Sequence, residues 1–563
     1  MIIERRSSAP GRLAATIAGL VAVLALATGC PSTTSGESTS DTAPVGRDAN
    51  VTVSDGPGQP GGKIVYGLNA ETNGWNPASS QWAPAGLEVM RTFYDTLSAY
   101  DAQNKVQPNL AESFTPSADY TTWTIKIRPN VVLHNGKPVT AQTVADNQTF
   151  LMNAPLTKAA YDPVASIGVE GDAVVVKTKK PWVSYPYALA TQIGVVTDTD
   201  WLKSGDMKSP IGTGPFRLDS WIPDNKLVVK KFDKYWRSGF PLLDEVEFRP
   251  IPDENSRAAA LESGDINIMM VTDGRQIAKY QKLGESGQYQ VFNSTSGETS
   301  ESFVQLNVMS KLFSDPDARA ALAYATDKQT YVNTLSDGIF EVANGPYPPS
   351  SQWHTDTGYP QYDPAKAKEL VDKVKARNGG EFSFTLIGPP TPGTLEGAQL
   401  LQQQWKAVGI DAKIDTLQQL DLIIKVLNGD YQATMWQQFS SPNPVGDSIW
   451  WHPDAAKDPA TKEPSLNFAR NKDPEIGAAL DAARQEPDEA KQKAYYDAVQ
   501  KKLGSDIPYI WLFHSQISVV ADKNLVNVTN YTLPGGQKGL PLQDGSHPLF
   551  QVWIDRNIKP TGS

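Results

Sequence analysis

The sequence predicts an α/β protein of two unlike lobes. Three observations carry that expectation. Between about residues 300 and 436, strand-like and helix-like segments alternate, the pattern of an open parallel or mixed sheet. Before residue 300, hairpin-like pairs are more frequent. After residue 506 the chain turns strand-like again, at Ile507 to Val520 and Leu549 to Trp553, and reads as a return to the first lobe.

The elements follow in order. Lys63 to Leu68 (KIVYGL) alternates like a strand. Gly86 to Thr96 carries Leu87, Met90, Phe93, Tyr94 and, just beyond, Leu97 at helical spacing. Thr122 to Arg128 is a period-two strand. The Asn135-Gly136 turn leads to a helix from Ala141 to Phe150, with Thr140 as its N-cap. Ile167 to Val169 and Ala173 to Lys177 form a hairpin through Glu170-Gly171-Asp172. Lys226 to Lys231, Glu245 to Pro250 and Ile266 to Val271 read as strands, with a helix from Ser256 to Ser263 ended by Gly264. Ser302 to Val308 is a strand, and Asp315-Pro316 opens a helix to Thr326. After a loop rich in Pro, Tyr and Trp, Asp363-Pro364 opens another helix, to about Lys375. Phe382 to Ile387, Ala412 to Thr416 and Tyr431 to Trp436 are strands, separated by helices at Leu395 to Val408 and Asp421 to Asn428.

The N-terminus is different in kind. Arg5, Arg6 and Arg12 precede an uncharged run from Leu13 to Thr28, followed by Gly29 and Cys30. A basic start, a short apolar centre and small residues at the exit make a secretory signal. The run of 16 falls short of a bilayer span of about 20 residues. LALATGC resembles the lipobox of bacterial lipoproteins, so Cys30, the single cysteine, is expected to carry lipid. Residues 31 to about 60, rich in Ser, Thr, Gly, Pro and Asp, bury too little apolar surface to offset ordering and read as a flexible tether.

Composition bounds the body. Without the leader, 48 basic stand against 61 acidic residues, a net charge of −13. No basic face is concentrated, which argues against a nucleic-acid partner. One cysteine excludes an intrachain disulfide, so stability rests on core burial. The 14 Trp and 20 Tyr supply core and, at some positions, ligand-cavity walls. No G-x-S-x-G elbow, H-E-x-x-H or Walker A pattern occurs, so the sequence does not read as an enzyme, and no cofactor or metal is expected.

Short motifs spread along the chain then add up. Leu110 to Phe114, Trp123 to Arg128 and His134-Asn135-Gly136-Lys137-Pro138-Val139-Thr140-Ala141 come first. Gly212-Thr213-Gly214-Pro215-Phe216, Phe232-Asp233-Lys234-Tyr235-Trp236 and Leu261 to Ile266 follow. Asp315 to Lys328 and Tyr362 to Ala367 complete the series. In this order they resemble the family 5 extracellular solute-binding proteins of ABC importers, the oligopeptide and dipeptide receptor group. The resemblance implies a two-lobed periplasmic-binding-protein-like fold of type II, the large cluster C type. Mixed sheets, a hinge and an extra subdomain at about 94–204 go with it. It divides the chain into a signal at 1–29, tether at 30–60, first lobe at 61–305, second lobe at 306–510 and a C-terminal return at 511–563. It further implies a monomeric, extracytoplasmic receptor, anchored to the cell membrane, that hands a peptide or similar solute to permease and ATPase subunits. A receptor for a sugar, oligosaccharide or metal chelate, or a signalling sensor, is the alternative.

In the resembled peptide receptors, a segment W-x-x-D-x-x-D-P holds the ligand's α-amino group. Here Trp436 fits, but Gln437, Gln438, Phe439, Ser440, Ser441, Pro442 and Asn443 follow. Gln437, Gln438, Ser440 and Asn443 are neutral donors and acceptors that suit an amide, hydroxyl or sugar. A longer loop brings Asp447 into the acidic role. The other candidate ligand contacts are Asn69, Glu71, Asn73 and Trp75 after the first strand, Glu298 just before the middle strand, Glu301 and Gln305 on it, and Trp353 in the aromatic loop. His134, alone at a strand end, reads as structural, as do the glycines of Gly212 to Gly214.

Overall fold

The computed structural model describes residues 48–563 apart from 294–299, 439–440, 462, 544 and 562–563. The expected signal and Cys30 lie outside the described residues, and no helix among the described residues is long and apolar enough to cross a membrane.

Two large sheets organise the body. The first has seven strands. At its middle, Lys63–Leu68 lies parallel to Glu245–Pro250 on one side and to Ile268–Val271 on the other. Lys226–Lys231 and Phe216–Ile222 extend one flank. Ser518–Asp522 and Tyr289–Asn293 extend the other. A strand paired on both sides loses its solvent edge, and Ile64, Tyr66 and Leu68 are buried accordingly.

The second sheet has six strands, in the order Glu341–Val342, Tyr509–Ser515, Ser300–Leu306, Ala433–Gln438, Ser383–Gly388 and Asp411–Thr416. Its inner half is antiparallel and its outer half parallel. Trp405, Phe384 and Trp511 centre its core. The chain passes between the sheets twice, from Asn293 to Ser300 and from Ser515 to Ser518. A third, four-stranded antiparallel sheet, with the helix Ala141–Asn153 against it, has its own core around Trp123, Val144 and Tyr185.

Local chemistry explains the helix starts. Asp198, Asp253, Asp273, Asp315, Asp327, Asp363, Asp473 and Asp488 are N-caps whose carboxylates accept from backbone N–H groups one turn in. Each such cap contributes about 1 kcal/mol. Much of the acidic excess is therefore spent on helix ends rather than on a ligand field. Thr140 caps as expected, in a reciprocal pair with Thr143.

Differences from expectation have local causes. Residues 49–54, read as tether, are tied to the first sheet. Ala49 and Val291 exchange backbone hydrogen bonds at 2.9 Å, and Ser54 N donates to Asn527 Oδ1 at 2.8 Å. Backbone pairing there needs no large apolar side chains, so composition is silent about it. The strand expected at Leu549 to Trp553 reduces to Trp553–Ile554. Leu549 and Val552 enter the first-sheet core, whereas Phe550 packs with Phe232 and Tyr531, so burial on two sides imitates a strand pattern. The run Ile507 to Val520 is two strands, one in each sheet. The helices Gly274–Glu285, Lys328–Ser336, Pro474–Gln485 and Glu489–Asp506 were not foreseen. The last is so rich in Lys, Asp and Gln that its apolar stripe is faint.

Candidate functional site

The strand Ser300–Leu306 runs between Ala433–Gln438 and Tyr509–Ser515. Alternation sends Glu301, Phe303 and Gln305 to one face. Register sets Glu301 opposite Gln438 and Phe303 opposite Trp436. On the other flank Glu301 faces His514, but an irregularity between Ser302 and Phe303 shifts the pairing, so that Phe303 meets Trp511 and Gln305 meets Tyr509. One extra residue flips the face presented beyond it, which brings the two aromatic rings onto the side of Glu301.

Glu301, Phe303, Gln305, Gln438, Tyr509 and Trp511 line a small pocket with Trp450, Trp451 and Phe468. Phe303 lies 4.7 Å from Tyr509 and 5.2 Å from Trp511 between ring centroids, and Tyr509 and Trp511 lie 4.9 Å apart. On the opposite wall Phe468 packs against Trp436 and Trp450, each at 5.3 Å. Gln305 donates to the Tyr431 hydroxyl at 3.0 Å, which itself donates to the carbonyl of Phe468. Glu301 and Gln305 are each 2 % exposed. Burial pushes the His514 imidazole down to about 3, so it is neutral at ordinary pH. Aromatic walls with a few fixed polar groups are the usual make-up of a small-ligand site.

Of the expected ligand contacts, Glu301, Gln305 and Gln438 therefore meet in one cavity, and Trp436 supports its wall. Gln437 points elsewhere: its amide donates to Ser515 Oγ at 2.8 Å, and Ser515 in turn donates to the carbonyl of Ser300 at 3.0 Å, where the chain passes between sheets. Asn443 is buried, and its Oδ1 accepts from Val445 N within its own turn. Asp447 accepts from the Tyr347 hydroxyl at 2.8 Å and from Ser441 N at 3.0 Å, and thereby holds the loop after Gln438. Ser440 and Glu298 lie outside the described residues. Trp353 belongs to the core: its indole donates to the carbonyl of Pro442, and its ring meets Tyr496 edge-on at 5.5 Å.

Glu71 and Trp75 line a second, more apolar pocket between Leu68, Val89, Leu227 and Phe248. Both Glu71 oxygens are occupied, by Trp221 Nε1 and by Asp224 N, each at 2.7 Å. Asn69 is half-buried and Asn73 exposed, and neither lines a cavity described here. Sequence reasoning missed Phe303, Trp450, Trp451, Phe468, Tyr509 and Trp511. Only the aromatic crowding itself signals them, because the strands that converge on the cavity are about 200 residues apart in the chain.

The motifs prove to be joints of the scaffold. His134 Nδ1 accepts from Gly212 N at 3.3 Å, and Nε2 faces the carbonyl of Gly214 at 3.1 Å. A Cβ on Gly212 would stand 2.1 Å from the carbonyl oxygen of Phe93, and one on Gly214 2.4 Å from the Phe93 carbonyl carbon. Tyr235 and Trp236 both donate to half-buried Asp95, at 3.1 and 2.8 Å.

Comparison with known proteins places this architecture. A glutathione-binding protein GsiB from Pectobacterium atrosepticum is 26% identical over 459 residues, covering 79% of this chain and 87% of that protein. The oligopeptide-binding protein AppA from Bacillus subtilis, solved in complex with a nonapeptide, superposes with a TM-score of 0.74 at 24% identity, over 88% of this chain and 99% of AppA. The binding protein AgaA from A. tumefaciens R10, in complex with agropinic acid, superposes with a TM-score of 0.76 at 25% identity, over 88% of this chain and 99% of AgaA. The family model for bacterial extracellular solute-binding proteins, family 5, matches residues 105–458. That match spans most of the chain, and with the two-sheet architecture it establishes that the chain belongs to the family 5 bacterial extracellular solute-binding proteins.

Proposed function

We propose that this protein is the extracytoplasmic receptor of an ABC import system that captures a peptide or similar small solute between its two lobes. The observation that carries the reading is the aromatic cavity beside the two chain passages, where residues of the site strand and of the hinge share hydrogen bonds. Family membership makes the chain a substrate-binding component of such an importer. The relatives are named as binding proteins, and nothing in the proposed cycle makes or breaks a bond: the receptor binds, closes, docks on a permease and releases. Peptide-like cargo is supported by the glutathione-binding and oligopeptide-binding relatives. The likeness to AgaA favours a second reading, a non-peptide organic acid conjugate as cargo.

The location belongs to the same proposal. Cys30, after a signal-like run, carries the lipid that holds a monomeric receptor at the cell membrane near its permease. One acyl chain holds a protein only marginally, and two or more hold it firmly. Mass spectrometry of solute retained by natively purified protein is expected to recover a peptide or peptide-like compound. Recovery of a sugar or a metal chelate instead would overturn the cargo. Cys30→Ala is expected to release the protein from the membrane fraction, and unchanged retention would overturn the anchor.

A further inference from the structure

Two seams join the lobes beside the chain passages, and they differ in kind. At one, Ile339 and Phe340, after the helix Lys328–Ser336, pack on the core cluster of Ile277 and Tyr280 at the first sheet. Phe340 also stacks on Phe513 of the second sheet at 4.9 Å, and a Cβ on Gly274 would stand 2.4 Å from that of Ser336. At the other, Val183 N, from the layer of the third sheet, donates to the carbonyl of Arg484 at 3.0 Å. Beside it Lys180 lies 3.5 Å from Asp481, and Lys105 pairs with Glu489. We propose that this polar seam is the entrance of the cleft: it parts to admit solute, the two ion pairs hold it shut, and the seam at Gly274 stays closed. The proposal rests on the reading that solute is captured between the lobes, and it places the opening and names the residues that govern it.

Three observations support it. The first is what parting exposes. The cores around Trp123 and around Trp511 share no member among the described residues, so opening the polar seam divides no core. Opening the other would uncover Ile339 and Phe340, at a cost that grows with the apolar area exposed. The second is that water can replace the partners. Arg484 stands in the last turn of Pro474–Gln485, where helix carbonyls lack an intrahelical donor, so losing Val183 N leaves the helix intact. Lys105, Lys180, Asp481 and Glu489 are each at least one-third exposed, and pairs of that kind are weak and screened by salt. The third is position. Val183 lies between buried Trp182 and Ser184, so the third-sheet core fixes its N–H, and that sheet is joined to the first through His134 with Gly212 and Gly214. Across the seam, Asp481 also lies 3.6 Å from His452, the residue after Trp451 of the aromatic pocket. The entrance therefore adjoins the pocket wall.

Hydrogen–deuterium exchange on the purified protein, with no added solute, tests the idea at the Val183 amide and at the amides of residues 336–340. Raising sodium chloride to about 0.5 M is expected to speed Val183 exchange several-fold and to leave 336–340 unchanged. The double reversal Lys105→Glu with Lys180→Glu is expected to speed Val183 exchange about tenfold at low salt. Adding Asp481→Lys and Glu489→Lys restores opposite charges and is expected to bring the rate back to within about twofold of the unaltered protein. Val183 exchange that ignores both salt and charge reversal would overturn the entrance, while capture between the lobes would still stand or fall on the recovery of retained solute. Faster exchange at 336–340 together with Val183 would overturn the assignment of the Gly274 seam as the one that stays closed. Faster exchange that the charge swap fails to restore would overturn the two pairs as its fastening.

Discussion

His134 and Gly214 are joined across 80 residues: the imidazole Nε2 lies 3.1 Å from the glycine carbonyl oxygen, while Nδ1 of the same ring accepts from Gly212 N. The two bonds define a neutral ring protonated at Nε2. A second proton on Nδ1 would abolish the bond from Gly212, and burial already pushes the group from 6.5 down to about 4.

A pH prediction follows, with its sign. The unfolded chain takes up the His134 proton near pH 6.5 and the folded protein only near 4. The contribution of His134 is therefore full above pH 6.5 and is lost as pH falls towards 4, by about 3 kcal/mol at most. Urea unfolding should show His134→Gln destabilised at pH 7.5, with the gap to the unaltered protein closing by pH 4.5. A gap that stays constant across that interval would refute the assignment.

Asp95 behaves oppositely. Burial pushes its carboxyl up to about 6, against the pull of donors from Trp236 and Tyr235. The folded protein holds this proton longer than the unfolded chain, so the Asp95 contribution is full below about pH 4 and is lost as pH rises through about 6. Trp236 serves the ionised form. Trp236→Phe is expected to cost about 1.5–3 kcal/mol at pH 8 and distinctly less at pH 4.5, measured by urea unfolding.

The glycines of two neighbouring motifs should part company. Gly214→Ala drives a Cβ to 2.4 Å from backbone atoms that have nowhere to go, and loss of the folded state or a cost above about 3 kcal/mol is expected. Gly136 has φ +84° but open space around it, so Gly136→Ala costs only the left-handed conformation, about 1 kcal/mol. Thermal melts of the two variants rank them.

Two tryptophans separate scaffold from site. Trp353→Ala opens a hole beside Tyr496 and is expected to cost about 3–5 kcal/mol in stability. Trp450, half-buried on the cavity wall, is expected to cost less stability on truncation and to weaken solute binding at least tenfold. Parallel unfolding and calorimetry check both. Normal binding by Trp450→Ala would remove that wall from the site.

Much of the architecture was legible because its causes are local. Asp315-Pro316 and Asp363-Pro364 announce helices through capping and a preset φ, and both helices start there. Thr140 caps the helix expected of it. The alternation KIVYGL makes a strand wherever it lands. What such signals leave open is the partner. Ile507 to Val520 is one apolar run in the sequence, yet Tyr509–Ser515 pairs in the second sheet and Ser518–Asp522 in the first.

The site divides along the same line. By itself the sequence determined the family, the neutral character of the segment after Trp436, and the candidacy of Glu301, Gln305 and Gln438. Only the tertiary structure decided that these three share a cavity, that Gln437 instead binds Ser515, and that Glu71, Asn443 and Trp353 are held by backbone or core partners. The physical reason is register. A pattern of side chains specifies which face a residue occupies, but one extra residue in the partner strand, Leu512, opposite the step from Ser302 to Phe303, decides which aromatic rings stand beside it, and such a shift depends on strands about 200 positions apart.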